Sequence, residues 1–150
     1  MTSPEIKLTL IHPDARMPSY AHHNDAGADL TSVEPVTLNP GQRSLVRTGI
    51  SIALPDNLVA LVHPRSGLAL KHGIGMVNAP GTIDAGYRGE IMVLLINHDP
   101  SVPVTLPAGT RIAQLVIQEV LQATFTLVDE LPESMRATGG FGSTGTIDVS

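Results

Sequence analysis

An antiparallel all-β domain, either a sandwich or a barrel, is the fold class the sequence predicts, and two observations predict it. Short runs rich in Val, Ile, Leu and Thr recur along the chain, with Pro or Gly punctuating the intervals between them. Apolar residues fill 42% of the 150 positions, yet the aromatic residues are only Tyr20, Tyr87, Phe125 and Phe141, so the core must be built from Val, Leu and Ile. That length supports one sizeable core, and nothing in the composition marks a second.

The strands are expected at Glu5 to Ile11, Arg43 to Thr48, Ile50 to Leu54, Leu58 to Val62, Gly89 to Asn97, Val102 to Leu106, Arg111 to Glu119 and Thr124 to Val128. Turns are marked by Pro40-Gly41, Pro55-Asp56, Pro100 and Pro107-Ala108-Gly109. One short helix is expected over Ser66 to His72, capped by Ser66, propagated by Leu68, Ala69, Leu70 and Lys71, and ended by Gly73. Arg136 to Ser150 is rich in Gly, Ser and Thr and has too little apolar surface to offset its ordering entropy, so it reads as a mobile arm.

Charge and composition narrow the function. A formal net charge of −5 argues against nucleic-acid polymers and anionic membranes as partners. The chain has no cysteine, which excludes disulfides, thiolate metal sites and cysteine nucleophiles. Met1 to Ile11 lacks the layout of a signal peptide, and no apolar run approaches membrane-spanning length. The histidines at 12, 22, 23, 63, 72 and 98 lack metal-ligand spacing.

Two stretches carry candidate chemistry. In His63-Pro64-Arg65-Ser66-Gly67-Leu68-Ala69 a strand runs into a helix start bearing a guanidinium, a hydroxyl and a glycine that permits close approach, a combination suited to phosphate. In Asn78 to Glu90, read as a hairpin-like stretch, Asn78 can pair with the edge of a base. Asp84 can accept a proton from water, and Tyr87 offers a ring for a sugar to pack on.

These residues belong to five separated motifs through which the sequence resembles the trimeric dUTPase family along nearly its whole length. The motifs are Asp25 to Leu30, Pro64 to Ala69, Asn78 to Glu90, Arg111 to Leu115, and Arg136 to Gly145, with Ala137 standing where many relatives have glycine. The resemblance implies a jelly-roll-like β-barrel over residues 1–135 with one short helix, and a flexible C-terminal arm, 136–150, that closes over an active site. It implies a cytoplasmic, Mg²⁺-dependent hydrolase that converts dUTP to dUMP and pyrophosphate, limiting uracil in DNA and supplying dUMP for dTMP synthesis.

By position, the resemblance makes Asp84 the base that activates water, and Arg65, Ser66, Gly67 and Gln114 the holders of the phosphates. Mg²⁺ would sit mainly on the substrate phosphates, with Asp29 reaching it through water. Asn78 and the neighbouring Gly81, Thr82 and Ile83 would read uracil, and Tyr87 would exclude a ribose 2′-hydroxyl. From the arm, Arg136 would meet the terminal phosphate and Phe141 would stack on uracil, with Gly142 and Ser143 wrapping the phosphates. Sites in this family are shared between the subunits of a homotrimer. Two alternatives are a dCTP deaminase and a non-catalytic regulatory trimer. Leu94 stands where deaminase-like sequences carry a catalytic glutamate, Gly67 resembles the hydrolase pattern, and an intact Asp84 with a complete arm argues for retained catalysis.

Overall fold

The computed structural model describes residues 3–134 and 138. The fold is all-β and jelly-roll-like, with one short helix. In chain order the elements are β1 (Lys7–Leu10), β2 (Ala28–Thr31), β3 (Val36–Leu38), β4 (Arg43–Arg47), β5 (Ile50–Ala53), β6 (Leu58–His63), α1 (Ser66–His72), β7 (Ile74–Met76), β8 (Gly81–Ile83), β9 (Met92–Asn97), β10 (Val104–Leu106) and β11 (Arg111–Glu119). The largest sheet has the order β2-β11-β6-β8, and a second has β4-β9-β7. β1 pairs with β5 and β10 with β3, and all the pairings are antiparallel.

The core is aliphatic, as the scarcity of aromatics requires. Leu30, Leu38, Val46, Ile50, Val62, Ile74, Ile91, Val93, Leu95 and Ile112 are all fully buried, each worth about 1.5–3 kcal/mol on leaving water. Tyr20, Tyr87 and Phe125 are exposed. Of the polar residues buried with them, Thr48 and Asn97 find partners inside the core. Thr48 Oγ1 donates to the Ile91 carbonyl. Asn97 Nδ2 donates to the carbonyls of Leu38 at 3.0 Å and Val102 at 2.9 Å, while its Oδ1 accepts from the Asp99 N–H at 2.9 Å.

β11 and the bounds of α1 lie where the sequence puts them, and other expectations need correction. Ser66 is not the helix cap: Arg65 holds that position with extended backbone (φ −98°, ψ 126°), and no side-chain cap bond forms. Gly73 ends the helix in the left-handed region at φ 64°, its N–H bonded to Ala69 and Leu68 carbonyls. Thr124–Val128 forms no strand, because nothing among the described residues pairs with it. Four strands were not anticipated: β2, β3, β7 and β8. Asn78 to Glu90 is not a hairpin either, since it holds one strand, β8, whose partner is β6, while β7 and β9 on either side of the stretch pair with each other. The crossing from β7 to β8 links the two larger sheets.

Candidate active site

The outer face of the largest sheet carries the candidate residues. Along β6, Leu58, Ala60 and Val62 point into the core, so Val59, Leu61 and His63 face outward. Gln114 of β11 stands opposite His63 on one side and Asp29 of β2 on the other, placing the three side chains in a row across the strands. Gly27 is bare because a Cβ there would come 2.9 Å from Gln114 Cβ.

At this end of β6 a buried carboxylate meets two arginines. The Asp29 side chain is 5% exposed; Arg65 Nε lies 3.3 Å from its Oδ1 and Arg111 Nη1 donates to its Oδ2 at 3.2 Å. Arg65 Nη1 donates to the Arg111 carbonyl at 3.2 Å. The Arg65 Nε contact is within ion-pair range but lies off the hydrogen-bonding direction, so among the described residues the buried Oδ1 has no hydrogen-bond donor. Ser66 and Gly67 follow at the exposed start of α1, where a Cβ on Gly67 would meet only open space.

The opposite end of β6 carries Asp84. Ile83 pairs with Ala60 and Thr82 with Leu61, so Asp84 comes beside Val59 near the start of β6, on the same outer face. It is exposed at the wall of a cleft of about 520 Å³ lined also by Val59, Thr82, Gly86 and Val120. The turn after it is closed on itself: Tyr87 N–H donates to the Asp84 carbonyl and Tyr87 OH to the Glu90 carbonyl, both at 3.0 Å. A Cβ at Gly89 would overlap the Tyr87 phenol. Glu90 anchors the turn, accepting from Arg47 Nε at 3.0 Å and from the Gly49 N–H at 2.8 Å. Asn78 is exposed, precedes the cis Ala79-Pro80 bond and lies close to Gly81.

The candidate residues therefore fall into two groups. Asp29, Arg65 and Gln114, with Ser66 and Gly67, gather at one end of β6. Asn78, Gly81, Thr82, Ile83, Asp84 and Tyr87 follow β8 and its flanking turns, with Asp84 at the far end. Six residue steps separate Val59 from Arg65, which is roughly 20 Å of extended chain. Arg136, Phe141, Gly142 and Ser143 lie outside the described residues. A larger cavity of about 940 Å³, lined by Ile6, Tyr20, His22, His23, Ile117 and Glu119 among others, contains none of the candidate residues. Arg111 and Glu90 were not anticipated as parts of the site's framework. Both sit inside recognised motifs, and that position is the one signal that could have found them.

The dUTPase family model matches residues 13–145. The chain belongs to the dUTPase family. A deoxyuridine 5′-triphosphate nucleotidohydrolase of Thermobifida fusca (strain YX) is 61% identical over 140 residues, covering 93% of this chain and 78% of the relative. The solved dUTPase of Staphylococcus bacteriophage 80alpha with dUPNHPP superposes with a TM-score of 0.89 at 28% identity, over 96% of this chain and all of that one. A dUTPase mutant from phage phi11 of S. aureus, described with a structural Mg(II) ion, has a TM-score of 0.78 at 26% identity, over 85% and 98% of the two chains.

Proposed function

We propose that the chain is a dUTP diphosphatase, hydrolysing dUTP to dUMP and pyrophosphate as a homotrimer with sites shared between subunits. In cells this limits uracil in DNA and supplies dUMP for dTMP synthesis. The observation that carries the reading is the placement of Asp84 and Arg65 on one face of the sheet at opposite ends of β6. A base at the α-phosphorus and a guanidinium on the same triphosphate must lie closer than that. Arg65 moreover leans onto Asp29 and Arg111 rather than along the strand towards Asp84.

Different chains supplying the two groups resolve the separation. In support, the segment after β11 leaves the body with Leu121, Phe125 and Leu127 at 95%, 94% and 99% exposure, apolar surface that the other described residues do not cover. A closed three-fold ring places the same two unlike faces in contact at each interface.

In the proposed reaction Asp84 takes a proton from water as the water oxygen bonds to the α-phosphorus, and the bond to the bridging oxygen breaks to release pyrophosphate. Arg65, Ser66, Gly67 and Gln114 hold the phosphates by charge-assisted and neutral hydrogen bonds. Asn78 with Gly81, Thr82 and Ile83 reads uracil, and the exposed Tyr87 ring, held by its hydroxyl at Glu90, stands where a 2′-hydroxyl would collide.

The donor set fits Mg²⁺ held mainly by substrate oxygens. No group of three or more His, Cys, Asp or Glu among the described residues could hold a metal, and the undonated, buried Asp29 Oδ1 suits a contact through water. Bound there, the ion would neutralise charge on the phosphates. We further propose that residues 1–135 form the barrel domain and 136–150 an arm bringing Arg136, Phe141, Gly142 and Ser143 over the nucleotide. No described helix is long and apolar enough to cross a membrane, and a cytoplasmic location is part of the same proposal.

Product analysis tests the reading: dUTP should give dUMP and pyrophosphate in equal amounts, and a chelator should abolish the reaction. Release of inorganic phosphate, or of ammonia from dCTP, would oppose it.

A further inference from the structure

We propose that Arg111 is a positioning residue for Arg65. By taking one oxygen of Asp29 it prevents that buried carboxylate from capturing the Arg65 guanidinium, which stays available to the triphosphate. The inference rests on the reading of Arg65 as a phosphate ligand.

A buried carboxylate beside a lone arginine is expected to form a two-bond, fork-like pair. Here the pair is split. Arg111 Nη1 donates to Asp29 Oδ2 at 3.2 Å, and Arg65 reaches only Oδ1, at 3.3 Å and without hydrogen-bond alignment. Arg111 also holds Arg65 from the other side, because its carbonyl accepts from Arg65 Nη1 at 3.2 Å. One residue thus restrains both members of the pair, through its side chain and its main chain.

Local structure explains how Arg111 comes to do this. The β11–β2 register places Arg111 opposite Thr31, then shifts between Arg111 and Ala113. Such an irregularity re-aims a side chain, and here the guanidinium reaches Asp29 two positions along β2. The Arg111 side chain is 55% exposed, so core packing does not account for its placement. Two cations and one anion leave this end of the sheet with a surplus positive charge. Without Arg111 the carboxylate would neutralise Arg65.

The test uses the full-length protein with Arg111→Ala, Arg111→Lys and Asp29→Asn, measuring Kd for dUPNHPP with Mg²⁺ and kcat and KM for dUTP. Arg111→Ala should raise Kd and KM about tenfold, the scale of one charge-assisted contact, and leave kcat within about threefold. Arg111→Lys keeps the charge and the single donor and should bind within about threefold of wild type. With Asp29→Asn already present, Arg111→Ala should weaken binding less than about twofold further, since no carboxylate remains to compete. An unchanged Kd in Arg111→Ala, a tenfold loss in Arg111→Lys, or the full tenfold loss persisting alongside Asp29→Asn would each overturn the role. Failure of the wild type to bind dUPNHPP would instead remove the functional reading on which it rests.

Discussion

Two inactive variants should restore one another when their chains are mixed. In a single chain Asp84 lies beside Val59 while Arg65 follows His63 at the other end of β6, a separation of roughly 20 Å at about 3.3 Å per residue. If each site takes Arg65 from one chain and Asp84 from another, Arg65→Ala and Asp84→Asn proteins remain defective alone. Unfolded together, mixed equally and reassembled at random, they give each site an independent one-in-two chance of an intact Arg65 and the same chance of an intact Asp84. About a quarter of sites then carry both, from the statistics of a closed three-fold ring. The assay is the dUTP hydrolysis rate of the mixture against wild type treated identically, with each variant refolded alone as a blank. Activity no higher than the blanks, despite confirmed mixed trimers, would refute the shared site and leave the hydrolase assignment standing.

Other outcomes follow from the same geometry. Asp84→Asn should lower kcat by about 10²–10⁴ while dUPNHPP binding stays near normal, because the amide keeps the shape and cannot take a proton; turnover near wild type would remove Asp84 from its role. Deleting residues 136–150 should leave a folded trimer with little activity, and full-rate hydrolysis by the shortened protein would contradict the arm's part in closure. Asn97→Ala should lower the unfolding free energy by about 2–4 kcal/mol in denaturant titration, since it strands the buried Leu38 carbonyl and removes the acceptor for Asp99 N–H.

Sequence periodicity captured the elements long enough to show it. β11 has nine residues and its bounds match the expected ones; β3, β7 and β8 have three each, too few for alternation to stand out, and the equally short β10 is marked in the sequence by the turn residues Pro100 and Pro107 on either side rather than by alternation. Thr124–Val128 misled for a different reason. Its alternating Thr, Phe, Thr and Leu is a strand pattern, but a strand needs a partner edge, and periodicity does not say which chain supplies one.

At the site, residue types conveyed the chemistry, because a guanidinium, a carboxylate and an amide at motif spacing suggest phosphate, water and base. Their arrangement was hidden. Arg111 meets Asp29 through a register shift across two strands, and Asp84 parts from Arg65 because β8 pairs with β6. Both depend on pairing between segments far apart in sequence.

The central claim is dUTP hydrolysis, and the most direct measurement is pyrophosphate release by the wild-type protein with Mg²⁺ from dUTP, dTTP, dCTP and UTP in parallel. A pocket that reads uracil through Asn78 and the β8 backbone and bars a 2′-hydroxyl at Tyr87 should favour dUTP by at least about a hundredfold in kcat/KM. Comparable rates on all four nucleotides, or no pyrophosphate from dUTP, would contradict it.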